Sequence, residues 1–189
     1  SATLTLSGNS VAPTRYESST VSDFSSNVTT INNTTTTLSV SSLTQTTYYR
    51  AVVISTVCTT YSTTATVTVN PASVGGTVNG GQTVCTGTNS TVLTLSGNTG
   101  TIQWQSSSNN STFTNITGAT ASTYTASNLS AKTYYRAVVK SGVCASVNSS
   151  VDSVTVNPTS VGGTIAGSTT VCTGTNSTLL TLSGHTGTI

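Results

Sequence analysis

Side chains that could act as an acid or a base in catalysis are scarce in this chain. His185 is the only histidine, and Glu17, Asp23 and Asp152 are the only acidic residues. A hydrolase needs a nucleophile, a base and usually an orienting acid, so the abundant serines alone do not make a catalytic site. None of the three acids recurs at its equivalent position in the repeat described below, so the chain lacks a repeated carboxylate pair of the kind glycosidases use.

The single histidine occupies a position that holds asparagine elsewhere. His185 corresponds to Asn98 and Asn9 in the earlier copies of the repeat, which predicts a place in a surface turn. Zinc sites need paired Cys or His ligands, and calcium sites need clusters of carboxylate oxygens. We therefore expect no enzymatic activity, no bound metal and no cofactor.

An internal repeat organises the chain that carries these residues. Ser73–Thr77 returns as Ser160–Thr164, 87 residues later. Thr47–Val53 returns as Thr133–Val139 at a spacing of 86 residues. Identities of this length establish a tandem array.

The phase of the repeat predicts where one copy ends and the next begins. Ser1 matches Ser90 and Ile189 matches Ile102, so we expect both ends of the chain to lie inside a copy. The predicted segments are a first copy (1–71) that lacks its first strand, a complete second copy (72–158), and the N-terminal part of a third copy (159–189).

The composition favours strands over helices. Roughly two residues in five are Ser or Thr and 4% are charged, so β-branched residues dominate while strong helix formers are rare. We predict an all-β fold of tandem immunoglobulin-like β-sandwich repeats. In the second copy, strands are expected near 74–79, 90–96, 101–106, 112–117, 122–127, 133–140 and 147–157.

Alternation along the strand at 133–140 predicts the core. Tyr135, Ala137 and Val139 fall on one face, because successive side chains of a strand point to opposite faces. Trp104 is expected at the centre of the core, with Tyr16 in its place in the first copy. The full predicted core set is Trp104, Leu129, Tyr135, Ala137, Val139 and Tyr49.

Four cysteines divide into an early kind, Cys85 and Cys172, and a late kind, Cys58 and Cys144. The simplest pairing joins Cys85 to Cys144 within the second copy, which leaves Cys58 and Cys172 to pair with residues outside the chain. Such a bridge would stabilise by roughly 4 kcal/mol in the chain-entropy model. The alternative pairs Cys58 with Cys85 across the linker. Either arrangement implies an oxidising, extracellular setting.

The charge balance excludes nucleic acid as a partner. The net charge is +2 and is spread along the chain, which is too weak for a phosphate-binding surface. No apolar run approaches the roughly 20 residues of a membrane-spanning helix, so we expect no membrane insertion.

Several segments together resemble a known group of surface proteins. They are Cys85–Gly87, Leu93–Gly97, Gln103–Gln105, Thr133–Val139 and Val154–Pro158. These segments are similar to the repeats of giant Bacteroidetes cell-surface adhesins, particularly those of gliding bacteria. The resemblance implies type IX secretion, attachment to the cell surface and adhesion, and it transfers no binding residue. Within the same sequence, Asp152-Ser153-Val154 resembles the Bacteroidetes O-glycosylation acceptor, which implies a sugar on Ser153.

Three functions follow as hypotheses. In the first, neighbouring repeats of one polypeptide form the shaft of an adhesin. In the second, the repeats bind surface polysaccharide weakly and gain avidity from their number, with Trp104, Tyr124 or Tyr134 stacking on sugar rings. In the third, identical chains form a fibre in which the 159–175 segment of one chain completes the first copy of another.

Overall fold

The computed structural model describes residues 1–189, and its regular secondary structure is β-strand throughout. It contains no helix that is long and apolar enough to cross a membrane. The all-β fold class predicted from composition is confirmed. The strands are β1 (Ala2–Thr5), β2 (Arg15–Ser19), β3 (Thr29–Ile31), β4 (Thr37–Val40), β5 (Thr47–Ser55), β6 (Cys58–Tyr61), β7 (Ala65–Val67), β8 (Thr77–Asn79), β9 (Thr83–Cys85), β10 (Ser90–Ser96), β11 (Thr101–Ser107), β12 (Thr114–Asn115), β13 (Thr123–Ser127), β14 (Thr133–Lys140), β15 (Val147–Asn148), β16 (Asp152–Asn157), β17 (Thr164–Ala166) and β18 (Thr181–Ser183).

The chain forms two compact units, Ser1–Pro71 (unit 1) and Ala72–Ile189 (unit 2). Unit 1 covers the first copy of the repeat. Unit 2 covers the second copy and the residues of the third.

Two sheets pack face to face in unit 2. One has the order β13-β10-β8, and the other has the order β12-β11-β14-β16-β9, with β15 also paired to β14. Side chains along β10 alternate between buried and exposed, as expected for a strand with one face on a core. Thr91, Leu93 and Leu95 point inward, whereas Val92 remains 55% exposed.

Trp104 lies at the centre of the core between these sheets and is fully buried. Its indole Nε1 donates a hydrogen bond to the carbonyl of Ala121 at 2.8 Å. Tyr135, Ala137 and Val139 are buried beside it, and Leu129 is partly buried against the same cluster. The alternation along β14 therefore places these side chains on the inner face.

The predicted strand at 147–157 is divided in two. Between β15 and β16, the Ser149 hydroxyl accepts a hydrogen bond from the Ala137 amide at 2.8 Å. The Ser149 amide in turn donates to the Ala137 carbonyl at 2.9 Å. A side-chain oxygen thus replaces a backbone acceptor where the ladder is interrupted.

Strand β9 is an element that the sequence pattern did not predict. It pairs in parallel with the last strand of the second copy, with Val84 opposite Val156 and Cys85 opposite Asn157. Three residues between glycine-rich turns give little alternation to detect, and the partner lies about 70 positions away in sequence. The pairing places Cys85 at the end of the sheet where the second copy ends.

Unit 1 repeats this arrangement with fewer strands. One sheet contains β1 and β4, and the other has the order β3-β2-β5-β6, with β7 also paired to β5. Tyr16, Tyr49 and Ala51 are buried between them. No strand pairs with the second edge of β1, whereas its counterpart β10 pairs on both edges.

Residues 159–189 contribute a two-stranded antiparallel sheet, β17-β18. Ile165 of β17 lies opposite Leu182 of β18. Ile165 is 69% exposed and Leu180 is 60% exposed. No second sheet covers these apolar side chains.

Candidate functional site

His185 lies in an exposed turn after β18. Its counterparts stabilise the same turn through side-chain amides: Asn9 donates to the Val11 carbonyl at 2.9 Å, and Asn98 lies 3.5 Å from the Gly100 carbonyl. The chain has no group of three or more His, Cys, Asp or Glu residues that could hold a metal ion.

The acidic residues make separate local contacts. Asp152 accepts hydrogen bonds from the amides of Gly81 and Ser153, both at 2.7 Å. Asp23 accepts one from the Ser25 amide at 2.9 Å, and this interaction with Ser25 lowers the pKa of Asp23. Neither carboxylate is directed towards a second acid, so the arrangement does not form an acid–base pair.

Glu17 is the buried acid of unit 1. One carboxylate oxygen contacts the Arg15 guanidinium at 2.9 Å, and the other contacts that of Arg50 at 2.8 Å. Burial raises the pKa of Glu17, but the hydrogen bonds and charges of Arg50 and Arg15 outweigh it and hold the pKa below its ordinary value. Glu17 is therefore an ionised structural partner and cannot serve as a proton donor near neutral pH.

Arg50 also packs between two aromatic rings, 4.2 Å from the centroid of Phe24 and 4.0 Å from that of Tyr61. In the second copy, Arg136 lies 4.0 Å from the centroid of Phe113, and its Nε donates to Gln105 at 2.8 Å. Each of these contacts places a guanidinium over one face of an aromatic ring, a cation–π arrangement.

The three aromatic residues considered for sugar stacking differ in position. Trp104 is 0% exposed, so its role as a sugar platform is excluded and that hypothesis is wrong for this residue. Tyr124 is half-buried, with its ring centroid 5.9 Å from Trp104 and 5.6 Å from Tyr135. Tyr134 is half-buried, and the Lys132 ammonium lies 4.9 Å from its ring centroid. Burial, together with the nearby Tyr124, raises the pKa of Tyr135 to about 12.

The predicted disulfide between Cys85 and Cys144 is absent, because Cys85 is a free thiol. Strand pairing explains why. Cys85 lies opposite Asn157, three residues beyond the Val154–Thr133 pair at one end of β14. Cys144 follows the other end of β14, where its amide donates to the Ser141 carbonyl. Strand β14 alone spans about 23 Å at ~3.3 Å per residue, whereas a disulfide needs Cα atoms about 4–7 Å apart.

Cys58 and Cys172 are also exposed free thiols. The alternative bridge between Cys58 and Cys85 is therefore absent as well. The predicted pairing of Cys58 and Cys172 with residues outside the chain stays a prediction.

Ser153 lies in β16, opposite Tyr134, and is half-buried. O-glycosylation of this hydroxyl stays a prediction.

A groove of about 420 Å³ lies along β1 in unit 1. We call it the β1 groove; its lining includes Leu4, Leu6, Tyr16, Tyr49, Ala51 and Thr63. Leu4 and Leu6 are half-buried, whereas their counterparts Leu93 and Leu95 are 0% and 3% exposed.

The lower exposure of Leu93 and Leu95 is explained by β8. In unit 2, this strand pairs with β10 and places Val78, 4% exposed, over the core. Sequence reasoning missed the groove residues themselves. The available signal was the repeat itself, which matches Leu4 and Leu6 to Leu93 and Leu95.

Both copies of the repeat match the same protein family. Residues 1–71 and 74–158 each match a family model described as a domain of unknown function (DUF8696). No curated protein matches the chain. Two adjacent matches cover more than half of the sequence, and the chain therefore belongs to the DUF8696 family.

Proposed function

We propose that this chain is part of the shaft of a secreted bacterial cell-surface adhesin, in which repeated β-sandwich modules hold an adhesive region away from the cell. The observation that supports this function best is that the two copies share packing residues and do not share acidic ones. Tyr16 and Trp104 are equivalent and buried, and each donates to a backbone carbonyl: that of Thr35 at 3.0 Å and that of Ala121 at 2.8 Å.

A second shared contact is also structural. The Ser62 hydroxyl accepts a hydrogen bond from the Ala51 amide at 2.9 Å, as Ser149 does from Ala137 at 2.8 Å. Selection for a binding or catalytic site in each module would be expected to keep its polar side chains. Selection for a folded spacer keeps the core and the hydrogen bonds that shape the sheets.

The acidic residues, by contrast, are not kept between the copies. Glu17 is replaced by Gln105 in the second copy, and Asp152 corresponds to Ala65 in the first. In addition, no buried side-chain nitrogen or oxygen lacks a hydrogen-bond partner, so no buried polar group is left for a ligand to satisfy. A module built in this way would add length to a folded shaft.

The cellular context is proposed from the sequence resemblance to Bacteroidetes adhesin repeats, which implies type IX secretion and a role in adhesion or gliding. Antibodies against residues 72–158 should label intact cells that produce the protein. Labelling only after permeabilisation would contradict the proposed location.

A glycan array separates a shaft from a carbohydrate-binding module. The chain, biotinylated at its N-terminus and tetramerised on streptavidin, should bind no glycan, although tetramerisation amplifies weak binding through avidity. Reproducible binding that Tyr134→Ala abolishes would refute the shaft role and assign carbohydrate recognition to that face. Tyr61→Ala is the control, because Tyr61 lies in unit 1 and packs against Arg50.

A further inference from the structure

We infer that the outward side of β14 in unit 2 is a docking surface for an extended acidic peptide segment of another protein. We call this surface the basic face; it consists of the side chains of Lys132, Tyr134, Arg136, Val138 and Lys140. The inference concerns one sheet face of the second copy and does not depend on the shaft function.

Alternation along β14 gathers the basic residues of the second copy on one side of the sheet. Tyr135, Ala137 and Val139 are buried, so the side chains between them point away from the core. The only acid of this copy, Asp152, lies opposite the inward-facing Tyr135, and its carboxylate accepts a hydrogen bond from the Gly81 amide at 2.7 Å. The basic face therefore carries three positive charges, and the second copy supplies no negative charge to it.

The three cations of the basic face have no carboxylate partner, because both ion pairs of the chain involve the buried glutamate of unit 1. Two of them are nonetheless held in place. The Arg136 guanidinium lies 4.0 Å from the ring centroid of Phe113, and its Nε donates to Gln105 at 2.8 Å. The Lys132 ammonium lies 4.9 Å from the ring centroid of Tyr134. Side chains that are already ordered lose less entropy when a partner binds.

The equivalent face of unit 1 lacks this charge and provides an internal comparison. Thr46 and Ile54 stand at the positions of Lys132 and Lys140. The arginine at the position of Arg136 is paired with a carboxylate at 2.8 Å. Since the first copy folds without the two lysines, packing does not require them. An acidic partner would accordingly bind the second copy in preference to the first.

The spacing of the cations fits an extended polypeptide. Lys132, Arg136 and Lys140 are four residues apart, or about 13 Å at ~3.3 Å per residue. This separation exceeds the Debye length of about 8 Å at 0.15 M salt, so each cation acts as a separate contact. An extended peptide has the same rise per residue, and carboxylates at every fourth position would fall opposite the three cations in turn. Beside Lys140, Val138 and Gln105 line a shallow depression of about 380 Å³ that would receive a small side chain between two acids.

Titration of the isotope-labelled full chain with a synthetic peptide, followed by NMR, tests the docking. In the peptide Glu-Thr-Val-Thr-Glu-Thr-Val-Thr-Glu, β-branched residues favour an extended backbone, and one face presents Glu and Val in alternation. The amide signals of Thr133–Lys140 should shift, whereas those of Thr47–Ser55 in unit 1 are the control and should stay unchanged.

A second peptide of the same composition, with its three glutamates adjacent, tests the spacing. It should bind at least about threefold more weakly, because its charges reach only one cation at a time. Equal affinity of the two peptides, or no shift at Thr133–Lys140, would overturn the inference. This comparison uses the parent chain and does not depend on the folding of any variant.

Three substitutions test the individual contacts. Lys140→Ile introduces the residue of the first copy and should weaken peptide binding about two- to fivefold, as expected for one exposed ion pair. Lys140→Arg keeps the charge and should bind like the parent. Gln105→Glu places a carboxylate beside Arg136 and should weaken binding to a similar degree as Lys140→Ile. Binding by Lys140→Ile as tight as that of the parent would show that the peptide docks elsewhere and would overturn the assigned surface.

Other polyanions separate a peptide partner from a polysaccharide or a nucleic acid. A polyuronate and a single-stranded oligonucleotide, each matched to the peptide in charge, should bind more weakly than the peptide with spaced glutamates, because their charges do not recur at the spacing of the strand. Binding of either as tight as that of the peptide would overturn the choice of a peptide partner.

Discussion

The substitution Val78→Ala measures how much the first strand of a module contributes to its stability. Val78 is 4% exposed and packs in the same cluster as Leu95 and Trp104. Removing two methyl groups costs about 1.6 kcal/mol in transfer free energy at ~0.8 kcal/mol per group. A residual cavity of about 30–40 Å³ adds roughly 1 kcal/mol. We expect the free energy of unfolding of unit 2 to fall by about 2–3 kcal/mol.

The chain offers a specific probe for this measurement. Trp104 is the only tryptophan and lies in the core of unit 2, so its fluorescence in urea follows that unit alone. The midpoint should fall by about 1–2 M, given typical urea slopes of ~1–3 kcal/mol per M. Val74→Ala is the control, because Val74 is 46% exposed and its truncation should cost less than about 0.5 kcal/mol. Equal midpoints for the two variants would refute the role assigned to β8.

Three further predictions concern other parts of the molecule. The pKa of Glu17 is lowered in the folded state, so its ion pairs stabilise unit 1 fully above the unfolded pKa of about 4.3, and this stability is lost as the pH falls through the folded pKa. Calorimetry should show the loss in the parent but not in Glu17→Gln, and equal acid sensitivity of the two would contradict it. Gly76→Ala should destabilise unit 2 by at least about 1 kcal/mol more than Gly97→Ala, as read by urea unfolding. Both positions have positive φ, which costs about 1–3 kcal/mol for a non-glycine residue, but only at Gly76 would the Cβ meet a carbonyl, that of Ser96 at 2.4 Å. Cys85, an exposed free thiol, should react completely with iodoacetamide without prior reduction, and an unmodified Cys85 in the peptide map would show that it is bridged.

The fold class was predictable because the composition and the alternation of apolar residues both indicated β-strands. The alternation along β14 identified its inner face, and Tyr135, Ala137 and Val139 lie there. Strand β9 was missed because its pairing with β16 is parallel and distant in sequence. Three residues carry too little periodicity to indicate a strand, and parallel neighbours leave no hairpin turn between them to detect.

The cysteine prediction was wrong for a related reason. The repeat showed that Cys85 is early in a module and Cys144 is late, but order in sequence does not define which end of a sandwich a residue occupies. The parallel pairing of β9 carries Cys85 to the end where the second copy finishes. Knowledge of that one pairing would have excluded the bridge.

The candidate site was predictable only in outline. Alignment of the copies matched Leu4 and Leu6 to Leu93 and Leu95, but it did not predict that Leu4 and Leu6 would be half-buried along a groove. Their exposure depends on strand pairing, since β1 pairs only with β4. The contacts of Arg50 with Phe24 and Tyr61 were also not predicted, because the three residues are brought together only by the pairing of β2, β5 and β6.

The position of β16 has a mechanical consequence. This strand runs into Pro158 and is bonded on one side to β14 and on the other to β9. The second copy begins at the opposite end of the sheet, where the Ser73 hydroxyl accepts a hydrogen bond from the Ser141 amide at 2.9 Å. Tension applied between the two ends of this copy would pull β16 along its own axis, so its hydrogen bonds to both neighbours would be loaded in shear and would have to break together. Such a module should resist stretching far better than one whose last strand could be peeled away one bond at a time.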